Sequence, residues 1–338
     1  MLPTVAIFLV TYLGVALGHI PGLQLDRTGI ALLGAIAMIV AGAVSFPEAV
    51  GHVDLPTLIL LYALMVISAQ LRLGGFYTFT AFRISHLLVR PRFFLFVSMA
   101  TSALLSAVLA NDIVCLAFTP VLILSLNASR LNPLPYLIGL AVSSNIGSTA
   151  TIIGNPQNML IGQVGRLDFG QFIGWCGPPT LVALAGSYLL LCGLFRKEFG
   201  RRETAPDPMP ILQALPRFDR WQSVKGLVGV GLMLGLFFTP IPRELSAIAV
   251  AGVLLCSRRL KSREILQLVD WHLITLFCAL FVIIGSIEAA GAPSLVLTTL
   301  KRVGIDLHDP TTLSGVSVVL SNLVSNVPAV MLLLGSLD

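Results

Sequence analysis

A chain of 338 residues that is 56% hydrophobic and only 11% charged lies far from soluble domains, where about a quarter of residues carry charge. That balance excludes a water-soluble globule. The formal net charge of +5 does not point to nucleic acid, because Lys and Arg sit in short connectors between apolar blocks rather than in a basic patch interleaved with aromatics.

The first apolar block, Val5–Gly18, follows Met1 with no basic run before it and no small-residue cleavage site after it. It reads as a retained helix over about 3–20 rather than a signal peptide. With the N-terminus outside, that helix runs inward to Arg27, a second (28–45) runs outward, and a third (55–71) returns to Arg72. Residues 76–89 mix Arg83 and His86 with Phe76, Phe79 and Phe82, which predicts an interfacial helix.

The next block is flanked by Arg90 and Arg92 on one side and Arg130 on the other. Both ends therefore favour the same membrane face, and the sequence predicts a re-entrant hairpin over 93–127 with its tip at Ala110-Asn111-Asp112. A following span, 134–165, is too long for one plain helix and is interrupted at Gly154-Asn155-Pro156. A sixth helix (171–194) leads to a basic cytoplasmic loop, 195–225. Helices over 226–239, 244–257 and 272–289 complete the path, which leaves only Arg166, Arg243, Lys301 and Arg302 outside, in keeping with the positive-inside rule. Trp175, Trp221 and Trp271 fall near segment ends, where interfacial anchors belong.

Val53–Gly75 aligns with Val269–Gly291 without gaps, sharing the opening Val-Asp, several core positions and the closing glycine. Downstream, Leu109-Ala110-Asn111-Asp112 falls opposite Val324-Ser325-Asn326-Val327. Because Asp54 lies outside and Asp270 inside on this path, the two copies run in opposite directions, the arrangement found in secondary transporters. The expected fold is an all-α polytopic membrane protein with inverted repeats, re-entrant hairpins and a broken transmembrane helix. The first repeat occupies 1–194 and the second 226–338. The second copy lacks a counterpart of the broken span and is expected to be incomplete at its C-terminus, as a fragment or as a transport-incompetent truncated scaffold.

The chemistry is expected where helices break. A Gly/Pro interruption at membrane depth persists only where it is buried in protein or lines a water-filled cavity. The run from Ser143 to Asn158 supplies Ser144, Asn145, Thr149, Thr151, Gly154, Asn155, Pro156, Gln157 and Asn158. Its freed carbonyls and neutral oxygens suit small cations, and the N–H groups of the half-helix starting at Pro156 suit an anion. Packing of small residues is an equal reading for Ser148, Thr149 and Thr151. Asp112 is the carboxylate at hairpin-tip depth and is assigned ion or proton coupling, with a capping or salt-bridged role as the alternative. Asn111 faces Asn322, Ser325 and Asn326 across the opposed hairpins, and Asn111, Asn145 and Asn326 are candidates for sodium coordination. Asp54 and Asp270 are expected to cap helices. The cysteines and histidines show no CxxC, HExxH or other metal-ligand spacing, and no GxSxG occurs. No enzyme activity, cofactor or metal is therefore expected, and the five cysteines read as buried structural thiols.

At Ala110-Asn111-Asp112 with Thr119-Pro120, at Gly147–Asn158, and at Ser321–Pro328 the chain resembles the ion transporter superfamily of arsenite permeases, sodium/proton antiporters, and citrate and divalent-anion symporters. The resemblance covers nearly the whole chain and is closest to the arsenite-permease and anion-permease branches. It implies two opposed hairpins and two broken helices around a midplane site, an elevator-like carrier and often a homodimer. The first tip reads Ala-Asn-Asp where the symporter branch carries Ser-Asn-Thr, which favours proton coupling over dicarboxylate recognition. The expected function is a proton- or sodium-coupled permease for a small inorganic or carboxylate anion in a bacterial-type plasma membrane. A sodium/proton antiporter is the alternative.

Overall fold

The computed structural model describes residues 2–20, 22–109, 111–200, 218–291 and 306–334. The hairpin residue Ala110, most of the basic loop (201–217) and the stretch 292–305, with Lys301 and Arg302, lie outside the described residues. The described chain is helical, with no strand among the described residues. In order come α1 (Leu2–Leu17), α2 (Arg27–Val40), α3 (Phe46–Gly51), α4 (Leu55–Leu73), α5 (Phe76–Ser85), α6 (Pro91–Val108), α7 (Asn111–Ala128) and α8 (Leu134–Ser148). They are followed by α9 (Pro156–Val164), α10 (Phe169–Leu194), α11 (Arg220–Leu236), α12 (Arg243–Leu255), α13 (Ser262–Leu266), α14 (Trp271–Ala289), α15 (Pro310–Val324) and α16 (Asn326–Leu334).

Aspartates start many of these helices. The first N–H groups of a helix lack internal partners, and a short acceptor side chain satisfies them. Asp26, Asp168, Asp219, Asp270 and Asp309 each accept from a backbone N–H three residues on, and Asp54 does so from Thr57. The expectation for Asp54 and Asp270 holds. Asp219 also explains a boundary that hydropathy misplaced: it starts α11 at Arg220, so the last residues of the 195–225 stretch are already helical.

The helix boundaries share a common offset. The shift that carries Leu55 onto Trp271 also carries Leu73 onto Ala289, Arg27 onto Arg243 and Val108 onto Val324, each pair marking corresponding helix ends. Short helices, α3 and α13, precede α4 and α14. Among the described residues five helices, α4, α6, α7, α10 and α14, are long and apolar enough to cross a membrane. The arms α6 and α7 each have 18 residues, about 27 Å of helix, so each arm of the first hairpin approaches the ~30 Å of a hydrocarbon core.

Contacts gather the chain into two compact units, one of residues 1–58 with 270–338 and one of 59–269. In the first, α2 packs on α1 and α14, with Gly34 opposite Thr11 and Gly285 opposite His52 at distances that leave no room for a Cβ. In the second, the principal interface joins α6 to α8. Ser98, Ser102 and Ser106 recur every fourth residue on α6 and are fully buried, and a Cβ on Gly147 of α8 would sit 2.3 Å from the Ala103 backbone. Small residues let the two backbones close, the usual basis of helix association in membranes. By contrast α10 leaves its apolar surface open, with Trp175 82% exposed, as a lipid-facing helix does. Cys176 and Cys192 lie on that helix. The cysteines are not buried as expected: Cys256 is exposed and the other four are half-buried.

Candidate functional site

The break between α8 and α9 spans 149–155 and is set by local chemistry. Pro156 has no N–H to offer a preceding turn and fits the first position of a helix, while the residue before a proline is driven out of helical geometry. Asn155 is accordingly extended, at φ −149° and ψ 161°, and its side chain accepts the Asn158 N–H at 2.8 Å. Gly154 fits because a Cβ there would lie 2.1 Å from the Ser148 carbonyl oxygen.

The amides of this motif reach backward. Asn158 Nδ2 lies 2.9 Å from the Thr151 carbonyl, 3.3 Å from that of Ser148 and 3.4 Å from that of Thr149. Asn155 Nδ2 donates to the Ser148 carbonyl at 3.3 Å and to its hydroxyl at 3.1 Å. Thr151 donates its hydroxyl to the Ala107 carbonyl in the last turn of α6. The carbonyls freed by the break are thus engaged by Asn155 and Asn158, which answers the demand that backbone polar groups in lipid be satisfied within the protein. Gln157 differs: half-buried in the first turn of α9, it makes no side-chain hydrogen bond among the described residues.

Around this knot a polar seam joins α7 to α8. Asn111, buried at the start of α7, donates to Asn145 Oδ1 at 3.4 Å, and Asn145 in turn donates to the Ala141 carbonyl at 2.9 Å. One turn on, Cys115 Sγ stands 2.9 Å from Ser144 Oγ. A further turn on, the Thr119 hydroxyl bonds back to the Cys115 carbonyl at 2.7 Å, just before Pro120 interrupts the ladder. Asp112 is exposed in the first turn of α7, where a carboxylate is favoured by the helix N-terminus. On the other side of the break, Thr149 Oγ1 lies 2.9 Å from Thr180 Oγ1 of α10, and Thr180 also bonds to the Cys176 carbonyl at 2.7 Å.

The structure therefore brings together Asn111, Ser144 and Asn145 in the seam, with Thr119 on the same face of α7, and Thr149, Thr151, Gly154, Asn155, Pro156 and Asn158 in the knot. Asn322, Ser325 and Asn326 belong to the other unit. There Ser325 links α15 to α16 at φ +77° and ψ 161°, a region that favours glycine and marks local strain. Ser321 donates to Asn326, and Asn322 donates to the Val318 carbonyl at 2.8 Å.

Two participants escaped the sequence reading, Cys115 and Thr180. The first could have been found from spacing alone, since Asn111, Cys115 and Thr119 fall every fourth residue on one helical face. Thr180 follows Pro178-Pro179 in a helix otherwise read as a plain span, and that proline pair was its signal.

Comparison with known proteins decides the family. The model of the citrate transporter family matches residues 7–337. The chain belongs to that family. Among its relatives are the silicon efflux transporter of rice, Oryza sativa subsp. japonica, 27% identical over 93% of this chain and 76% of its own length, and a 46 kDa membrane protein of Mycobacterium leprae, 26% identical over 96% and 78%. The putative transporter arsB of Dictyostelium discoideum is 28% identical over 57% of this chain and 34% of its own. Family membership, with five helices among the described residues long and apolar enough to span a bilayer, makes the chain an integral membrane transport protein.

Proposed function

We propose that the chain is a secondary carrier of a small anion, coupled to protons or sodium and working by alternating access between two inverted repeats. The observation that carries this reading is the satisfied helix break at 149–155 beside the Asn111–Asn145 seam, in a member of the citrate transporter family. In secondary transporters, substrate and ion sites are typically formed by discontinuous helices. In this reading Asn111, Asn145, Thr149 and Gln157 present groups to cargo or coupling ion, Asn155 and Asn158 hold the break open, and Asp112 exchanges the coupling proton. Asn322, Ser325 and Asn326 furnish the corresponding hairpin of the second repeat. The N-terminus lies outside and 195–225 lies in the cytoplasm.

One observation favours a second reading, a sodium/proton antiporter: no Lys or Arg side chain bonds to the residues of the seam or the knot among the described residues. Purified protein in liposomes distinguishes the two. With an imposed proton or sodium gradient, accumulation of labelled citrate, or of silicon supplied as silicic acid, supports the carrier; citrate and silicon are the cargoes named for the family and for the rice relative. Sodium-driven pH change without added cargo supports the antiporter. Asp112→Asn is expected to keep measurable uptake while losing its dependence on pH; unchanged pH dependence would remove Asp112 from the coupling step.

A further inference from the structure

The helical hairpin α11–α12 is fastened at both its ends to elements of the first repeat, and the two fastenings differ in kind. Lys225 Nζ donates to the carbonyls of Leu254 and Cys256 at 2.9 and 3.2 Å, which sets the start of α11 beside the end of α12. The start of α12 therefore lies at the other end, about 20 Å away by helix rise.

At the first end the union is close and involves backbone. The Asp219 N–H and the Ser223 hydroxyl both donate to the Gly74 carbonyl, each at 3.0 Å. Gln70 Nε2 donates to Gln222 Oε1 at 2.6 Å, with both glutamines buried. Added Cβ atoms at Gly74 and Gly226 would approach Ser223 and Leu71 to 2.9 and 2.6 Å. Interdigitation at this range admits little sliding.

At the second end the gap is bridged by side-chain tips, one of them reaching a backbone carbonyl. Arg243 Nη2 donates to the Gly162 carbonyl in the last turn of α9 at 2.8 Å, a cation at a helix C-terminus. Gln163 Nε2 donates to Glu244 Oε2 at 3.0 Å. Phe169, at the start of α10, stands edge-on to Phe237 and Phe238 with centroids 5.3 and 5.4 Å away. This closure also leaves Arg243 Nη1 buried without a partner. The first end has a leftover too, Gln70 Oε1, but an unmatched guanidinium nitrogen is the costlier of the two. Arrangements that are closed yet incompletely satisfied are those that a small change in free energy opens.

We infer that Arg243, Glu244, Gln163 and Phe169 form a gate that parts and re-forms as the carrier alternates, while Gln70, Gly74, Gln222 and Ser223 form its fixed hinge. This rests on the alternating-access reading above, in which one part of the carrier moves against another. These residues position the moving parts and are not assigned contact with cargo.

Spin labels test it in a background with the five native cysteines replaced by alanine. One pair, Arg166→Cys with Ile241→Cys, flanks the gate without forming it; the other, Arg72→Cys with Arg220→Cys, flanks the hinge. The expected result is two distance populations across the gate and one across the hinge. Arg243→Gln or the milder Glu244→Gln should raise the longer gate population about two-fold and leave the hinge unchanged. A single gate distance in every variant, or equal broadening at both ends, overturns the inference. Hydrogen exchange on the unmodified chain gives an independent check: residues 162–170 and 237–244 should exchange faster than 70–75 and 219–226, and the reverse order counts against the gate. Adding citrate or silicic acid separates this inference from the functional reading. Two gate populations that ignore both cargoes, in a protein that accumulates neither, leave the gate standing and retire the proposed carriage.

Discussion

The two hairpins begin from related sequence and end in different settings. In the first, Asn111 is buried and bonded to Asn145 on α8, and α6 closes on α8 through glycine and serine. In the second, Asn326 is exposed and bonded within its own hairpin to Ser321, Asn322 turns its amide onto its own helix, and α15 has no buried residue. A repeated sequence reproduces helices and their ends. What surrounds them decides whether a polar tip becomes a structural joint or remains available.

That difference can be broken most forcefully at the glycines. Gly147→Ala places a methyl group 2.3 Å from the Ala103 backbone, and overpacking of this kind costs about 1–3 kcal/mol. A marked fall in melting temperature in detergent is expected. Gly315→Ala on α15 meets nothing within 4 Å and should be neutral or slightly stabilising, since alanine is the better helix former. Equal losses at the two sites would mean that the hairpins are set alike.

The asparagines give the next largest contrast. Asn158→Ala strips an amide from the Ser148, Thr149 and Thr151 carbonyls and should cost about 1–3 kcal/mol for the acceptors it leaves unpaired. Asn322→Ala removes one bond to its own exposed helix and should cost under about 0.5 kcal/mol. Denaturant or thermal unfolding of the two variants compares them directly.

A smaller effect is expected where the break meets α10. In a double-mutant cycle with Thr149→Val and Thr180→Val, the hydroxyl pair at 2.9 Å should show a coupling energy of about 0.5–1.5 kcal/mol. Strict additivity would mean that α10 is not tied to the knot through these groups.

The smallest effect lies outside both hairpins and serves as a baseline. The Ser45 hydroxyl and backbone N–H, 2.6 and 2.9 Å from Glu48 Oε2, hold the Glu48 carboxyl below the usual carboxylate range. A depressed folded value means that the stabilisation is present at neutral pH and disappears as pH falls through that folded value. Amide exchange in α3 should therefore rise in acid, and Glu48→Gln should show the faster exchange already at neutral pH.

Much of this architecture was legible because lipid imposes simple rules. Apolar blocks marked helices, and Gly154-Asn155-Pro156 marked the break, since proline chemistry acts locally. The direction in which the asparagine amides turn was not legible. Asn155 and Asn158 are candidates for binding substrate or ion, and in the structure both side-chain amides reach back to carbonyls of the preceding helix end, a choice set by backbone left unpaired several residues earlier. Boundaries such as Arg220 were missed for a related reason: a capping aspartate can start a helix inside a charged stretch where hydropathy sees only a loop. Thr180 became visible only when a partner from α8 was placed beside it.

The backward reach of Asn155 and Asn158 has a consequence for speed. Because these amides stabilise their own backbone, the shape of the break does not depend on bound cargo or on water to complete it. On the carrier reading proposed above, emptying the site requires no rewiring of this backbone. On that same reading, substitutions at Asn155 or Asn158 should lengthen the time the empty carrier needs before it can load again.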